Sequence, residues 1–325
     1  MKSDRLASWH PASSHKLLYE VLFWSAVLVL TGVVFAAYVP GLPWNRAGRN
    51  FAEFLDSSTY RPFVYRVLIP LVSEAANRIV PFTIPTYYTI CIYLSLFGFV
   101  GALRSLAQTF WQPSYALDAV VLLAIPLTMA FNLEYSHVYD LPVLCLFTWG
   151  IVCIARQQWN AFLLCYAIAC FNKETTLFLS LIFVANHTQD VLRGKYNKLL
   201  VMQLSIYAII RGALMFIFQH NPGAVADYHL SDHIIIYPAY PARTLVYLAG
   251  ITLVALLIAR QFGRKPAFLR RSLLVALPPM VVLFALFGFP YELRVFYEVY
   301  SLVVLLCIPP NAVQVQSAGV ANPSL

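Results

Sequence analysis

The run from Leu17 to Val39 carries a single charged residue, Glu20, and runs of similar apolar character recur along the rest of the chain. A hydrocarbon core about 30 Å thick is crossed by roughly 20 apolar residues in a helix. A backbone in lipid must satisfy its polar groups internally, so such a chain folds as helices. Composition agrees: 60% of the 325 residues are hydrophobic, 11% are charged and the mean hydropathy is +0.71, against about 25% charge in an ordinary soluble domain. The first run is too long for the apolar part of a cleavable signal peptide and lacks a small-residue cleavage site, so it reads as a retained span.

Breaking the apolar runs at proline, glycine and charge clusters predicts spans near 17–39, 84–104, 114–133, 138–155, 199–218, 242–260, 271–289 and 293–310, with two shorter helices near 159–171 and 175–187. The expected fold is all-α: a polytopic membrane protein of about ten membrane helices, two of them short, with an interfacial amphipathic helix in the first outer loop. Residues 1–310 form one membrane domain and 311–325, NAVQVQSAGVANPSL, a disordered tail. With both termini cytoplasmic, the basic loops at Arg104, Arg156, RGKYNK (193–198) and RQFGRKPAFLRR (260–271) all fall on the cytoplasmic side. The net charge of +8 thereby orients helices and does not point to nucleic acid. Six cysteines lie within apolar stretches without metal-ligand spacing, which argues against a disulfide framework or zinc site.

The same topology sends the unusual polar clusters to the opposite face. The sequence FNKETTLF, 171–178, puts Asn172, Lys173 and Glu174 at the tip of the two short helices. Helices of roughly 13 residues at about 1.5 Å per residue reach only about 20 Å, so this tip is recessed and needs a cavity or protein partners around it. In that reading Asn172 caps the second short helix, and Glu174 pairs with Arg211 or a neighbouring arginine. Arg211 lies about a dozen residues into an apolar span and requires a partner or a cavity.

Beside this turn come NFAEFLDSSTYRPFVYR (50–66), with Glu53, Asp56, Arg61, Tyr65 and Arg66; NLEYSHVYD (132–140), with Glu134, His137 and Asp140; the loop 219–241; Arg243; and YELR, with Glu292 and Arg294. Residues 60–82 alternate apolar and aromatic residues with Arg61, Arg66 and Arg78, a pattern for a helix in the interface. Its guanidinium groups match phosphate oxygens in a bidentate way. Asp227, His229, Asp232 and His233 offer ligand types for a divalent cation but no standard zinc spacing. A lid or acceptor-facing loop accounts for them equally.

An acidic first outer loop followed by an interfacial helix, the FNKETTLF turn between short helices, and the late Glu-x-Arg of YELRVFYEVY together resemble the GT-C class of polytopic membrane glycosyltransferases. The resemblance implies a sugar donor attached to a polyprenyl phosphate and an acidic base in the first outer loop: Asp56 first, Glu53 second. Lys173, Arg61, Arg66 and Arg294 would then stabilise the departing phosphate. The chain departs from the family in lacking an Asp-Asp or Asp-Glu pair in that loop and a soluble outer domain. The resemblance implies a cell-envelope enzyme; the lack of an outer glycan-rich loop pattern points to a bacterial inner membrane, with the lipid bilayer as partner, no definite cofactor beyond a possible divalent cation, and donor sugar, acceptor and oligomeric state open. A transporter or lipid flippase, or a noncatalytic subunit of a polysaccharide-export complex, also uses intramembrane charge.

Overall fold

The computed structural model describes residues 13–41, 59–131 and 136–310. These contain 13 α-helices and no strand. They are α1 (Ser13–Tyr38), α2 (Leu68–Asn77), α3 (Ile84–Phe110), α4 (Tyr115–Leu127), α5 (Asp140–Ala155), α6 (Trp159–Cys170), α7 (Leu177–Asn186), α8 (Thr188–Leu192), α9 (Asn197–Ile217), α10 (Leu230–Ala239), α11 (Pro241–Ala259), α12 (Ala267–Phe287) and α13 (Tyr297–Cys307). Five of them, α1, α3, α9, α11 and α12, are long and apolar enough to cross a bilayer. Each span expected from the sequence is met by a helix, several of them too short to cross alone.

Local chemistry sets the boundaries. Ser114 caps α4 by accepting from the Leu117 backbone N–H at 3.2 Å. Pro126 lies in the last turn of α4, and the chain tightens into a 3₁₀ segment, Thr128–Phe131. Carbonyls loosened there are taken up by two buried tyrosines of α13. Tyr300 donates to Ala124 O at 2.6 Å and Tyr297 to Thr128 O at 2.9 Å.

The centre of the bundle is the α3–α5 interface, with α1 and α4 on one flank and α6, α7, α12 and α13 around the rest. Gly150 of α5 permits the approach of α7, because a Cβ there would stand 2.6 Å from Cδ1 of the fully buried Leu179. Outward, the surface is apolar. No residue of α11 is buried, and α9 buries only Gln203, Arg211 and Leu214 while exposing Val201, Ile209 and Phe216. An apolar core with an equally apolar outer surface is the arrangement of helices whose solvent is lipid.

The basic loops gather at one end of the bundle. Arg156 donates to Thr109 Oγ1 at 3.1 Å and Ser105 O at 2.7 Å. Arg104 is bound by Glu20 and Asp118 at 2.7–2.9 Å. Phe110 stacks on Phe268, and Trp159, Phe183 and Tyr196 enclose His187, whose burial there holds its pKa below the usual histidine value. Lys265 spans the ends of α11 and α13, donating to Leu257 O at 2.8 Å, Ile258 O at 2.7 Å and Leu306 O. A cation at two helix C-termini satisfies carbonyls and opposes both dipoles.

The segment 60–82 differs from its expected form. Its helix, α2, begins at Leu68, after Arg61 and Arg66. The preceding residues form a buried elbow in which Val64, Tyr65 and Val67 pack with Leu214 and Phe218 of the α9 region. Alternating apolar residues thus mark a segment wedged between helices, and of the three arginines only Arg78 is strongly exposed, beside Glu74 at 3.6 Å.

If the α5–α7 contact is as close as Gly150 implies, Gly150→Ala should lower stability by about 1–3 kcal/mol. Thermal unfolding in detergent measures this, and an unchanged midpoint would show that Leu179 yields without cost.

Candidate functional site

At the end opposite the basic loops, the turn 171–174 joins α6 to a 3₁₀ segment, Glu174–Thr176, that leads into α7. The Thr176 hydroxyl closes the turn on Ala169 O at 2.9 Å and Lys173 O at 2.8 Å. The expected cap by Asn172 is not formed. Its Nδ2 instead donates to Tyr139 O at 3.1 Å, tying the turn to the start of α5, because the tight turn directs this buried amide inward. Lys173 then reaches Glu298 of α13 at 2.7 Å, with the Glu298 carboxylate fully buried and also accepting from Thr175.

Glu174 receives Arg66 at 2.8 Å and lies 3.6 Å from Arg211. Arg211 also donates to Tyr65 O at 3.2 Å, which anchors the elbow, and Tyr207 donates to the Glu174 backbone carbonyl at 3.1 Å. The Arg66 guanidinium lies over the Tyr139 ring at 4.3 Å from its centroid, and Tyr139 stacks on His137, which stacks on Phe63. A planar cation on an aromatic face keeps its edges open for hydrogen bonds.

The third group centres on Arg294. Its Nη1 donates to both oxygens of Asp140, at 2.9 and 3.1 Å, and its Nη2 to Glu292. Asp140 also accepts from the His137 backbone N–H at 2.9 Å, and Tyr38 donates to His137 O at 2.7 Å. Four cations, Arg66, Lys173, Arg211 and Arg294, are thereby matched by Glu174, Glu298, Asp140 and Glu292. Such pairing is what charges this far from water require.

These groups border a cavity of about 1160 Å³. Its lining includes Tyr65, Arg66, His137, Lys173, Glu174, Arg211, Glu292 and Arg294, all expected from the sequence, together with the apolar Met215, Met280, Leu283, Phe284 and Phe287. Asp227 and His229 complete the rim. That loop is docked on the elbow: Asn221 donates to Thr59 O at 2.9 Å, Arg61 N to Pro222 O at 2.8 Å and Arg61 Nη2 to Gly223 O at 2.7 Å. Gly223 has φ +88°, and a Cβ there would lie 2.8 Å from Arg61 O, so this contact demands glycine.

Several expected residues stand apart from the cavity. Arg61 buttresses the loop. Arg243 stacks on Tyr291 at 4.1 Å from its centroid, outside the cavity lining. Asp140 sits behind Arg294. Glu53, Asp56 and Glu134 lie outside the described residues. No group of three or more metal-ligating side chains forms among the described residues. His229 binds Asp232 at 2.6 Å, and the His233 ring faces Phe284 O and Gly288 O at 3.2 and 2.9 Å. Glu298, given no role from the sequence, proves to be the partner of Lys173. The signal for it was an acid inside the apolar run after YELR, which demands a partner.

No protein-family model matches this chain, and no curated protein sequence matches it.

Removing the Lys173 partner tests the pairing. Glu298→Gln should cost about 3–5 kcal/mol by leaving a buried ammonium uncompensated, whereas an apolar replacement of both residues should restore most of the loss. The midpoints of thermal unfolding in detergent decide, and equal midpoints for Glu298→Gln and wild type would show that Lys173 does not depend on this carboxylate.

Proposed function

We propose that the protein is a membrane glycosyltransferase that moves a sugar from a polyprenyl-phosphate-linked donor to a lipid, glycan or protein acceptor. The observation that carries this reading is the cavity's mixed lining, in which guanidinium and ammonium groups and the apolar Met280, Leu283, Phe284 and Phe287 border the same space. An anionic head joined to an apolar tail is the ligand chemistry that such a lining complements. The resemblance to the GT-C class adds the reaction, and the ten-helix topology with both termini cytoplasmic belongs to the same proposal, as does placement in a bacterial inner membrane. The cavity would then face the extracytoplasmic side.

In this reaction an acceptor hydroxyl oxygen attacks the anomeric carbon of the donor sugar. The bond from that carbon to the phosphate oxygen breaks, its electron pair leaves with the polyprenyl phosphate, and the hydroxyl proton passes to a carboxylate. Asp56 takes the role of that base, with Glu53 second. Arg66, Arg211, Lys173 and Arg294 meet the growing phosphate charge from a preorganised, largely buried position. Thr59, three residues beyond Asp56, is held by Asn221 of the loop that also supplies Asp227 and His229 to the cavity rim.

Purified protein in lipid, given polyprenyl-phosphate sugars, should release polyprenyl phosphate, and Asp56→Asn should reduce that release by about 10²-fold or more. Unchanged turnover in Asp56→Asn would remove it as the base. Movement of lipid across vesicles without sugar transfer would establish the transporter or flippase reading instead. Reporter fusions should place 172–174 and 219–241 outside and 193–198 inside; either outer segment in the cytoplasm would separate the two halves of the cavity.

A further inference from the structure

The four cavity cations are not equally closed. Lys173 is held by a fully buried carboxylate and Arg294 lies between Asp140 and Glu292. The pair Arg66 and Arg211 is different, because both face the single carboxylate of Glu174, whose side chain is 37% exposed. Glu174 Oε2 forms no hydrogen bond, with Arg211 only approaching to 3.6 Å, and the buried Nε of Arg66 is likewise without a partner among the described residues. The backbone of Glu174 is fixed independently of its side chain, by Tyr207 on its carbonyl and by the Thr176 hydroxyl within the turn. The carboxylate can therefore leave without unfolding the turn.

We propose that Glu174 is a built-in competitor: its carboxylate occupies the seat, between Arg66 and Arg211, that takes the phosphate head of an anionic amphiphile. A carboxylate and a phosphate monoester present the same two-oxygen edge to a guanidinium. A phosphate monoester, the form in which the lipid phosphate stands once the sugar has left it, carries about −1.5 to −2 charge near neutral pH, against −1 for a carboxylate, and is therefore the stronger competitor for two cations. The tail has a route as well. Met215 of α9 and Leu283 and Phe287 of α12 line the cavity and are 45%, 38% and 40% exposed, so apolar side chains stand open to a tail beside the cations. This proposal rests on the reading of the cavity as a site for a phosphate-bearing lipid; its new content is the exchange of Glu174 for the ligand.

The experiment is titration of the full chain in detergent with decyl phosphate and, separately, with inorganic phosphate, for wild type, Glu174→Gln, Glu174→Asp and Arg66→Gln. Removing the competitor should tighten decyl phosphate binding about tenfold in Glu174→Gln and a few-fold in Glu174→Asp, and Arg66→Gln should abolish it. Binding in Glu174→Gln equal to or weaker than wild type would overturn the proposal. If Glu174→Gln does not fold, Glu174→Asp keeps the charge, and unchanged binding there overturns it equally. Equal affinity for inorganic and decyl phosphate would overturn the assignment to a lipid. Absent sugar turnover alongside a tighter Glu174→Gln would defeat the enzyme reading alone, while normal turnover without the tightening would defeat the competitor alone.

Discussion

Everything at the polar end of this bundle depends on ion pairs that join elements distant in sequence. Lys173 to Glu298 fastens the α6–α7 turn to α13, Arg294 to Asp140 fastens α13 to α5, and Arg66 and Arg211 to Glu174 fasten the elbow and α9 to the same turn. In a bilayer, apolar packing does not draw helices together as it does in water, because lipid tails are as apolar as the side chains. An unpaired charge at that depth is costly enough to act as the organising force. The turn 171–174 therefore does two jobs with one set of groups: it locks three helices in place, and it sets cations along a cavity.

Much of this arrangement was legible in the sequence, for a definite reason. Glycine, proline and charge interrupt the apolar runs near where the helices end, so the helix expected at 159–171 is met by α6 almost residue for residue, whereas α3 starts at Ile84 as expected but runs through Arg104 to Phe110. The pairing of Glu174 with Arg211 could be read as well, since each sits where lipid forbids an isolated charge. What could not be read was which of several equivalent partners a charge would choose. Glu298 was visible as an intramembrane acid, yet nothing in its neighbours says that it faces Lys173, 125 positions earlier. The elbow at 60–67 shows a different limit. Alternation of apolar residues with arginine is the same whether a helix lies in an interface or a chain wedges between helices, and only the surrounding surface of Leu214 and Phe218 distinguishes them.

The two ends of the molecule hold charge in partly different ways. At the basic end, Lys265 is tied to the last carbonyls of two helices and Arg156 to Ser105 O and Thr109, while Arg104 takes carboxylates from two other helices, Glu20 and Asp118. At the other end the cations are held by carboxylates, and two of these, Glu174 and Glu292, border the cavity. A carboxylate can be replaced by another anion, whereas a helix-end carbonyl cannot be exchanged for anything without breaking the helix end. What sets the cavity end apart is thus carboxylate partners beside open space and not the number of charges.

The position of α9 extends this argument to the apolar side. This helix turns Gln203 and Arg211 inward and exposes Val201, Ile209 and Phe216, so it contributes a cation to the cavity lining and apolar side chains to the surface. Two faces of one helix thus meet two solvents, a polar site and hydrocarbon, across a width of about 10 Å. A ligand at Arg211 is consequently never far from lipid. Under the proposed function that proximity has a use: a water-soluble substrate would gain nothing from it, while an amphiphile can keep its tail in hydrocarbon as its head reaches Arg66 and Arg211.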